Sequence, residues 1–277
     1  MRNSKLQLYH TYTIHMKPFF FSAILFVLCF MGILRPGNAF AGDDHGGSIY
    51  HVNLWTVNAF NVTGSVLDYI SIKPLHDRKP VITAEELSKL QRDSMNFINR
   101  WATKLNAKNY RTYEIISYYC SLPIFILPPL LMLNKTYKDD WFKLATMFWQ
   151  GHTITFFTYN YSWLGPRFRN RYRPVVYYDE VSSEYRTIGY NRSSFYSGHT
   201  ASMAFTSFAM AKIYCDYAHA GSHQKIIAYS IASVFPLAEG YLRVRALAHF
   251  PTDCLVGLAV GAAVGILTPE LHKINIH

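Results

Sequence analysis

The sequence predicts an all-α protein, a helical bundle that crosses a membrane about five times once an export signal has been removed. Three observations point there. Apolar blocks of helical length cover residues 115–133, 141–159, 200–214, 226–241 and 254–267. Ahead of them, Thr83 and Glu86 form a capping-box pattern that opens a run with Leu87, Leu90, Ile98, Trp101 and Leu105 near helical spacing. The first forty residues have the layout of an export signal.

In chain order, that signal comes first. Arg2, Lys5 and Lys17 precede an apolar run over residues 19–34, and Ala39-Phe40-Ala41 supplies a small-x-small cleavage pattern, which sets cleavage after Ala41. An uncleaved membrane anchor is the competing reading, and either one leaves the following residues outside the cytoplasm. Residues 42–112 read as an exported N-terminal segment: residues 42–82 keep no sustained period and suggest short helical turns, and the amphipathic helix follows from Thr83. That helix carries acids as well as bases on its polar face, which favours packing on its own domain over lying on a membrane.

Residues 113–277 hold the apolar blocks and read as a catalytic helical domain. Pro123, Pro128 and Pro129 fall in the first block, where they would kink a helix yet remain tolerable in lipid. Several blocks are shorter than the roughly 20 residues a span needs and carry Tyr, Thr and Ser, so a soluble bundle competes with a polytopic one. Mean hydropathy of +0.02 leaves that choice open. The net charge of +10, from 27 Lys and Arg against 17 Asp and Glu, favours anionic partners: phosphate esters, acidic headgroups or nucleic acid. Of four cysteines, Cys29 lies inside the signal, and Cys120, Cys215 and Cys254, widely spaced in apolar stretches, read as packing residues; no His/Cys cluster has metal-ligand spacing.

Three groups of residues carry chemistry. His249 and Asp253 are four apart, so a helix beginning near His249 would put the carboxylate one turn away and let it orient the imidazole. Such a histidine is a competent nucleophile toward phosphorus, with Arg243 available to clamp phosphoryl oxygens. Ser197-Gly198-His199 enters an apolar block, where glycine and helix N-terminal amides suit an oxyanion, Ser197 adds a hydroxyl, and His199 is placed as a general acid. Arg167, Arg169, Arg171 and Arg173, closed by Pro174, concentrate positive charge in the polar stretch before it. Each group alone has a plain structural reading: a helix hydrogen bond, a Ser/Gly turn, a solvated basic loop.

Together, in this order and spacing, they resemble the type 2 phosphatidic acid phosphatase (PAP2) superfamily, whose signature runs K-x6-R-P, then P-S-G-H, then S-R-x5-H-x3-D. The matching positions are Arg173-Pro174, Ser197-Gly198-His199, and Arg243 with His249 and Asp253. The departures are Pro166 where the family has lysine, Tyr196 for the motif proline and Leu242 for the motif serine. Arg167 or Arg169 is the candidate to replace the lysine, and Tyr196 and Phe250 are candidates to wall the pocket.

The resemblance implies a PAP2/haloperoxidase-type bundle and a phosphatase that passes through a phosphohistidine on His249, supported by Asp253, with His199 protonating the leaving oxygen. Arg173, Arg243, Ser197, Gly198 and Arg167 would bind the phosphate. No metal or cofactor is implied. The partners it implies are a lipid phosphate and a membrane, with no nucleic acid and the oligomeric state open. The expected location is a bacterial cell envelope, in the membrane with the active site facing the periplasm or exterior. Five spans starting outside would put all three motifs on one side. A soluble exported acid phosphatase, a vanadium haloperoxidase-like oxidoreductase and a membrane scaffold without turnover stay open as alternatives.

Overall fold

A computed structural model describes residues 48–92, 95–131 and 134–274. The chain divides into Met1–Ser48 and Ile49–His277, and the elements below belong to the second unit. The expected signal peptide over residues 1–41 lies outside the described residues.

The described residues form seven longer helices: α1 (Leu54–Asp77), α2 (Tyr110–Cys120), α3 (Pro123–Leu131), α4 (Trp141–Tyr161), α5 (Gly198–Tyr217), α6 (Ser222–Arg245) and α7 (Pro251–His272). Among the described residues there is no β-strand, only isolated bridges at Tyr50/Lys273 and Arg171/Ser193. The all-α expectation therefore holds.

The pair α5 and α7 sets the geometry of everything else. Gly257, Gly261 and Gly265 recur every fourth residue, so they line one face of α7. A Cβ on them would stand 2.5 Å from the Ser197 carbonyl oxygen, 2.0 Å from that of Ala201 and 2.6 Å from that of Phe205. Only glycine permits so close a backbone approach. Both series of numbers rise together, so the helices run parallel and start at the same end. The Ser197 amide, at the N-cap of α5, donates to the Asp253 carbonyl at 3.1 Å and ties the two starts together.

α6 returns antiparallel between them, with Gly240 near its end packed on Cys254 and Thr200. α2 lies against α6 through Arg243–Ser117 at 2.9 Å and Arg245–Tyr113 at 2.9 Å. α1 and α4 run side by side, joined by Asn61 to the Thr146 carbonyl, Trp149 to Ser65, and Asn160 to Asp68. At the far end of α5 and α7, Asp216 accepts from Tyr50, Lys212 and Lys273 at 2.7, 2.5 and 2.7 Å, and Lys212 also reaches Glu270 at 2.6 Å. Each of these buried charges has an opposite charge beside it, the condition under which burial is tolerable.

Short helices and the loops between them form a cap over the end where α5 and α7 begin. Ile82, Val175, Val176, Tyr178, Val181 and Leu247 form its core. Arg192 fastens it, bonding the Pro80 carbonyl at 2.9 Å and Glu86 at 2.6 Å, and that guanidinium holds the Glu86 carboxyl down to about 2.

Three expectations are corrected. Residues 54–77 form one 24-residue helix instead of short turns, because its Asn, Ser and Asp side chains bond to α4 and so interrupt the apolar pattern without breaking the helix. The helix expected from Thr83 keeps its capping box but stops after Ala84–Ser88, and the chain resumes as Phe97–Arg100 and the 3-10 turn Trp101–Thr103. Cys120 is exposed rather than packed, while Cys215 and Cys254 are buried. Of the five expected spans, only α7 is long and apolar enough to cross a membrane, among the described residues. Polar residues account for the shortfall: Gln150, His152 and Asn160 in α4, His199, Lys212 and Asp216 in α5, and Lys225, Glu239 and Arg243 in α6. Even so, the outer faces of α1 and α6 expose Trp55, Phe60, Ile70, Ile231, Val234 and Phe235.

Candidate active site

The starts of α5 and α7 and the end of α6 meet under the cap, and the signature residues lie there. α6 ends in a Schellman-type turn: the Leu247 amide donates to the Val244 carbonyl at 3.0 Å and the Ala248 amide to the Arg243 carbonyl at 3.1 Å. Leu247 holds the left-handed position with φ of 56°, where glycine is usual. Its side chain is fully buried in the cap core, and its carbonyl accepts from Val175 at 3.0 Å. That anchoring outweighs the roughly 1–2 kcal/mol cost of the left-handed backbone. The turn delivers His249 into the site.

His249 is only 2% exposed. Its Nδ1 lies 2.6 Å from the Ser194 main-chain oxygen. A carbonyl can only accept, so the proton sits on Nδ1 and the lone pair of Nε2 is left for chemistry. Burial, reinforced by the nearby guanidinium groups of Arg173 and Arg243, holds this imidazole well below the ordinary histidine range. It is therefore neutral at neutral pH.

Asp253 reaches His249 differently from what the four-residue spacing predicts. α7 begins at Pro251, so His249 lies before the helix and the two side chains do not share a helical face. Asp253 instead caps α7, accepting from the Phe250 amide at 2.9 Å, and takes the Ser194 hydroxyl at 2.6 Å and Arg171 at 2.5 Å. Its influence on the imidazole passes through Ser194, whose carbonyl holds His249. Arg171 also lies over the Phe250 ring at 4.8 Å. The cap backbone fixes both partners: the Arg171 amide donates to the Arg192 carbonyl and the Ser194 amide to the Arg171 carbonyl.

His199 is the second residue of α5, partly buried, with its ring edge-on to Tyr118 at 5.4 Å. Burial, reinforced by Arg243 and Arg173, holds the His199 imidazole well below the ordinary histidine range as well, and His199 in turn acts on His249. Arg173 is buried at the start of the turn Pro174–Tyr177, its guanidinium 4.0 Å from the centre of the Tyr190 ring. Arg243 is buried in the last turn of α6. Its Nε and the Tyr196 hydroxyl are buried with no hydrogen-bond partner among the described residues. Gly198 packs against the Tyr159 ring, where a Cβ would meet it at 3.2 Å.

Two sequence assignments change. The Ser197 hydroxyl caps α5 and bonds Thr200 Oγ1 at 2.9 Å, so its first role is to build the helix start. Arg167 stays out of the cluster, exposed and stacked on Tyr161 and Phe168, because buried Gly165 and Pro166 turn the chain outward there. Ser194 and Tyr190 carry no motif signal. Only the arginine run hinted at Arg171.

The arrangement can bind an oxyanion between two helix N-termini and two buried arginines, attack it with a neutral imidazole, and deliver a proton from a second. Residues 141–276 match the family model described as PAP2 superfamily. No curated protein and no solved structure matches the chain.

Proposed function

The chain belongs to the PAP2 superfamily through residues 141–276, which supports a phosphatase-type function, and from that premise we propose that it hydrolyses a phosphate monoester or diphosphate of a membrane lipid through a phosphohistidine on His249. One observation carries the chemistry: a neutral, Nδ1-anchored His249 stands with His199 between Arg173 and Arg243 where two parallel helices begin.

In the reaction, Nε2 of His249 attacks phosphorus as the ester P–O bond breaks. A bound phosphate dianion offsets the charges of Arg243 and Arg173 that, with burial, keep His199 neutral, so His199 takes up a proton as substrate binds. It gives that proton to the departing alkoxide and then accepts one from the water that cleaves the P–N bond, releasing phosphate. Arg173, Arg243 and the amides at the start of α5 stabilise the equatorial oxygens, the dominant electrostatic contribution to such a transfer. Asp253 keeps Ser194, and so His249, in place.

The apolar outer faces of α1 and α6, the apolar helix α7 and the signal-like N-terminus support a membrane setting. On this reading the enzyme belongs to a bacterial cell envelope, with its site facing the periplasm or exterior. A soluble exported phosphatase of the same superfamily is favoured instead by there being only one qualifying helix among the described residues. Carbonate extraction separates the two, since a soluble enzyme is released.

The decisive assay is phosphate release from lipid phosphates, with acid-labile labelling of the protein from a radioactive phosphate ester. His249→Ala should lose at least about 10³-fold in rate and all label. His199→Ala should lose about 10²–10⁴-fold. Wild-type hydrolysis by His249→Ala would refute the mechanism.

A further inference from the structure

Residues 163–169 leave the end of α4 in a tight turn that the catalytic cluster does not use. The Gly165 amide donates to the Ser162 carbonyl at 2.9 Å, and the amides of Phe168 and Arg169 both donate to the Gly165 carbonyl at 3.2 Å. A Cβ at Gly165 would lie 1.9 Å from the Tyr159 carbonyl oxygen, so the turn closes only with glycine. Gly165 and Pro166 form a buried base. Pro166, where the family has its lysine, thus belongs to a different construction.

From that base the side chains project outward. Trp163 is 66% exposed and Phe168 59%. Each ring carries a guanidinium: Arg169 lies 4.5 Å from the centre of the Trp163 ring, and Arg167 lies 5.8 Å from that of Phe168 and 5.5 Å from that of Tyr161. The turn also has a fixed place. Lys79 holds the Arg169 carbonyl at 2.9 Å, and Arg171, two residues on, pairs with Asp253. Phe97 and Trp101 are exposed as well, and Asn99 between them bonds Thr252 at the start of α7.

Exposed rings grouped on one turn mark an interaction surface in a way that rings scattered singly do not. Rings topped by cations match the boundary of a bilayer, where aromatic bodies lie at headgroup level and guanidinium groups meet lipid phosphates. We propose that residues 163–169 form a headgroup-docking platform for anionic lipid, separate from the phosphate clamp of Arg173 and Arg243, that seats the cap on the surface supplying its substrate. The proposal rests on the lipid-phosphatase reading and deepens it.

The test uses the full chain in mixed micelles of neutral detergent. Hydrolysis of phosphatidate is measured against its surface fraction, with p-nitrophenyl phosphate as the soluble substrate. The variants Arg167→Glu/Arg169→Glu and Trp163→Ala/Phe168→Ala should raise the apparent KM for the lipid about tenfold or more. They should leave hydrolysis of the soluble ester unchanged, and Arg167→Lys/Arg169→Lys should retain most of the wild-type KM. Independently of turnover, native mass spectrometry should show wild-type protein retaining phosphatidylglycerol over phosphatidylcholine and Arg167→Glu/Arg169→Glu losing that preference. Unchanged lipid retention would overturn the platform, and so would an equal loss on both substrates. A wild-type enzyme that cleaves only the soluble ester, with lipid retention still sensitive to the arginines, would overturn the lipid-phosphatase reading alone.

Discussion

Ser194 joins Asp253 to His249 with its two ends: its hydroxyl lies 2.6 Å from the carboxylate and its main-chain oxygen 2.6 Å from Nδ1 of the imidazole. The proposed nucleophile is thus positioned by a backbone group that a carboxylate holds still. Ser194→Ala should lower kcat roughly 10- to 100-fold with little change in KM, the worth of a hydrogen bond to a charged group. Asp253→Asn should do the same, and the double variant should be no worse than either single one. Steady-state kinetics on the three variants check this; a silent Ser194→Ala would mean that Asp253 acts on His249 by another route.

Because burial and two guanidinium groups hold His249 below the ordinary histidine range, its neutral, nucleophilic form persists as pH falls through about 6.5. The acidic limb of kcat/KM, which reports the free enzyme, should therefore fall below that value. Arg173→Met removes one of the two charges and should move the limb upward. A wild-type limb at or above 6.5 contradicts the assignment.

Leu247 combines a left-handed backbone with a fully buried side chain. Leu247→Ala loses the packing, about 2–5 kcal/mol, and keeps the strained backbone. Leu247→Gly loses the same packing and relieves the strain. Chemical denaturation should accordingly rank the glycine variant as more stable than the alanine variant by about 1 kcal/mol, the reverse of their usual order.

Gly261 lies two turns of α7 beyond Asp253 and touches no signature residue, yet a Cβ there would overlap the Ala201 carbonyl oxygen at 2.0 Å. Backbone cannot rotate aside as a side chain does. Gly261→Val should push α5 and α7 apart, cost about 1–3 kcal/mol of stability and lower kcat more than tenfold in protein still folded by circular dichroism. Undiminished kcat would show that the helix spacing does not set the site.

Helix blocks and the spacing of Arg243, His249 and Asp253 were legible because side-chain identity and period carry them. The route from Asp253 to His249 was not, since it passes through a main-chain carbonyl 55 residues earlier in the chain. α1 was hidden because its polar residues face α4 and not solvent, which erases the amphipathic pattern. Arg167 was misplaced because alternation along a run says nothing about a turn at Gly165. Gly257, Gly261 and Gly265 are plain in the sequence, and their four-residue spacing is the signal that puts α7 against α5.

The common origin of α5 and α7 also bears on sidedness. At roughly 1.5 Å per residue, the 22 residues of α7 span about 33 Å, close to the thickness of a bilayer's hydrocarbon core. His249 stands at one end of that length and the Asp216 ion cluster at the other. On the membrane reading such an enzyme samples a single leaflet: lipid phosphates in the opposite monolayer stay out of reach until something carries them across, so transbilayer movement of its substrate would limit how much of the pool it can ever consume.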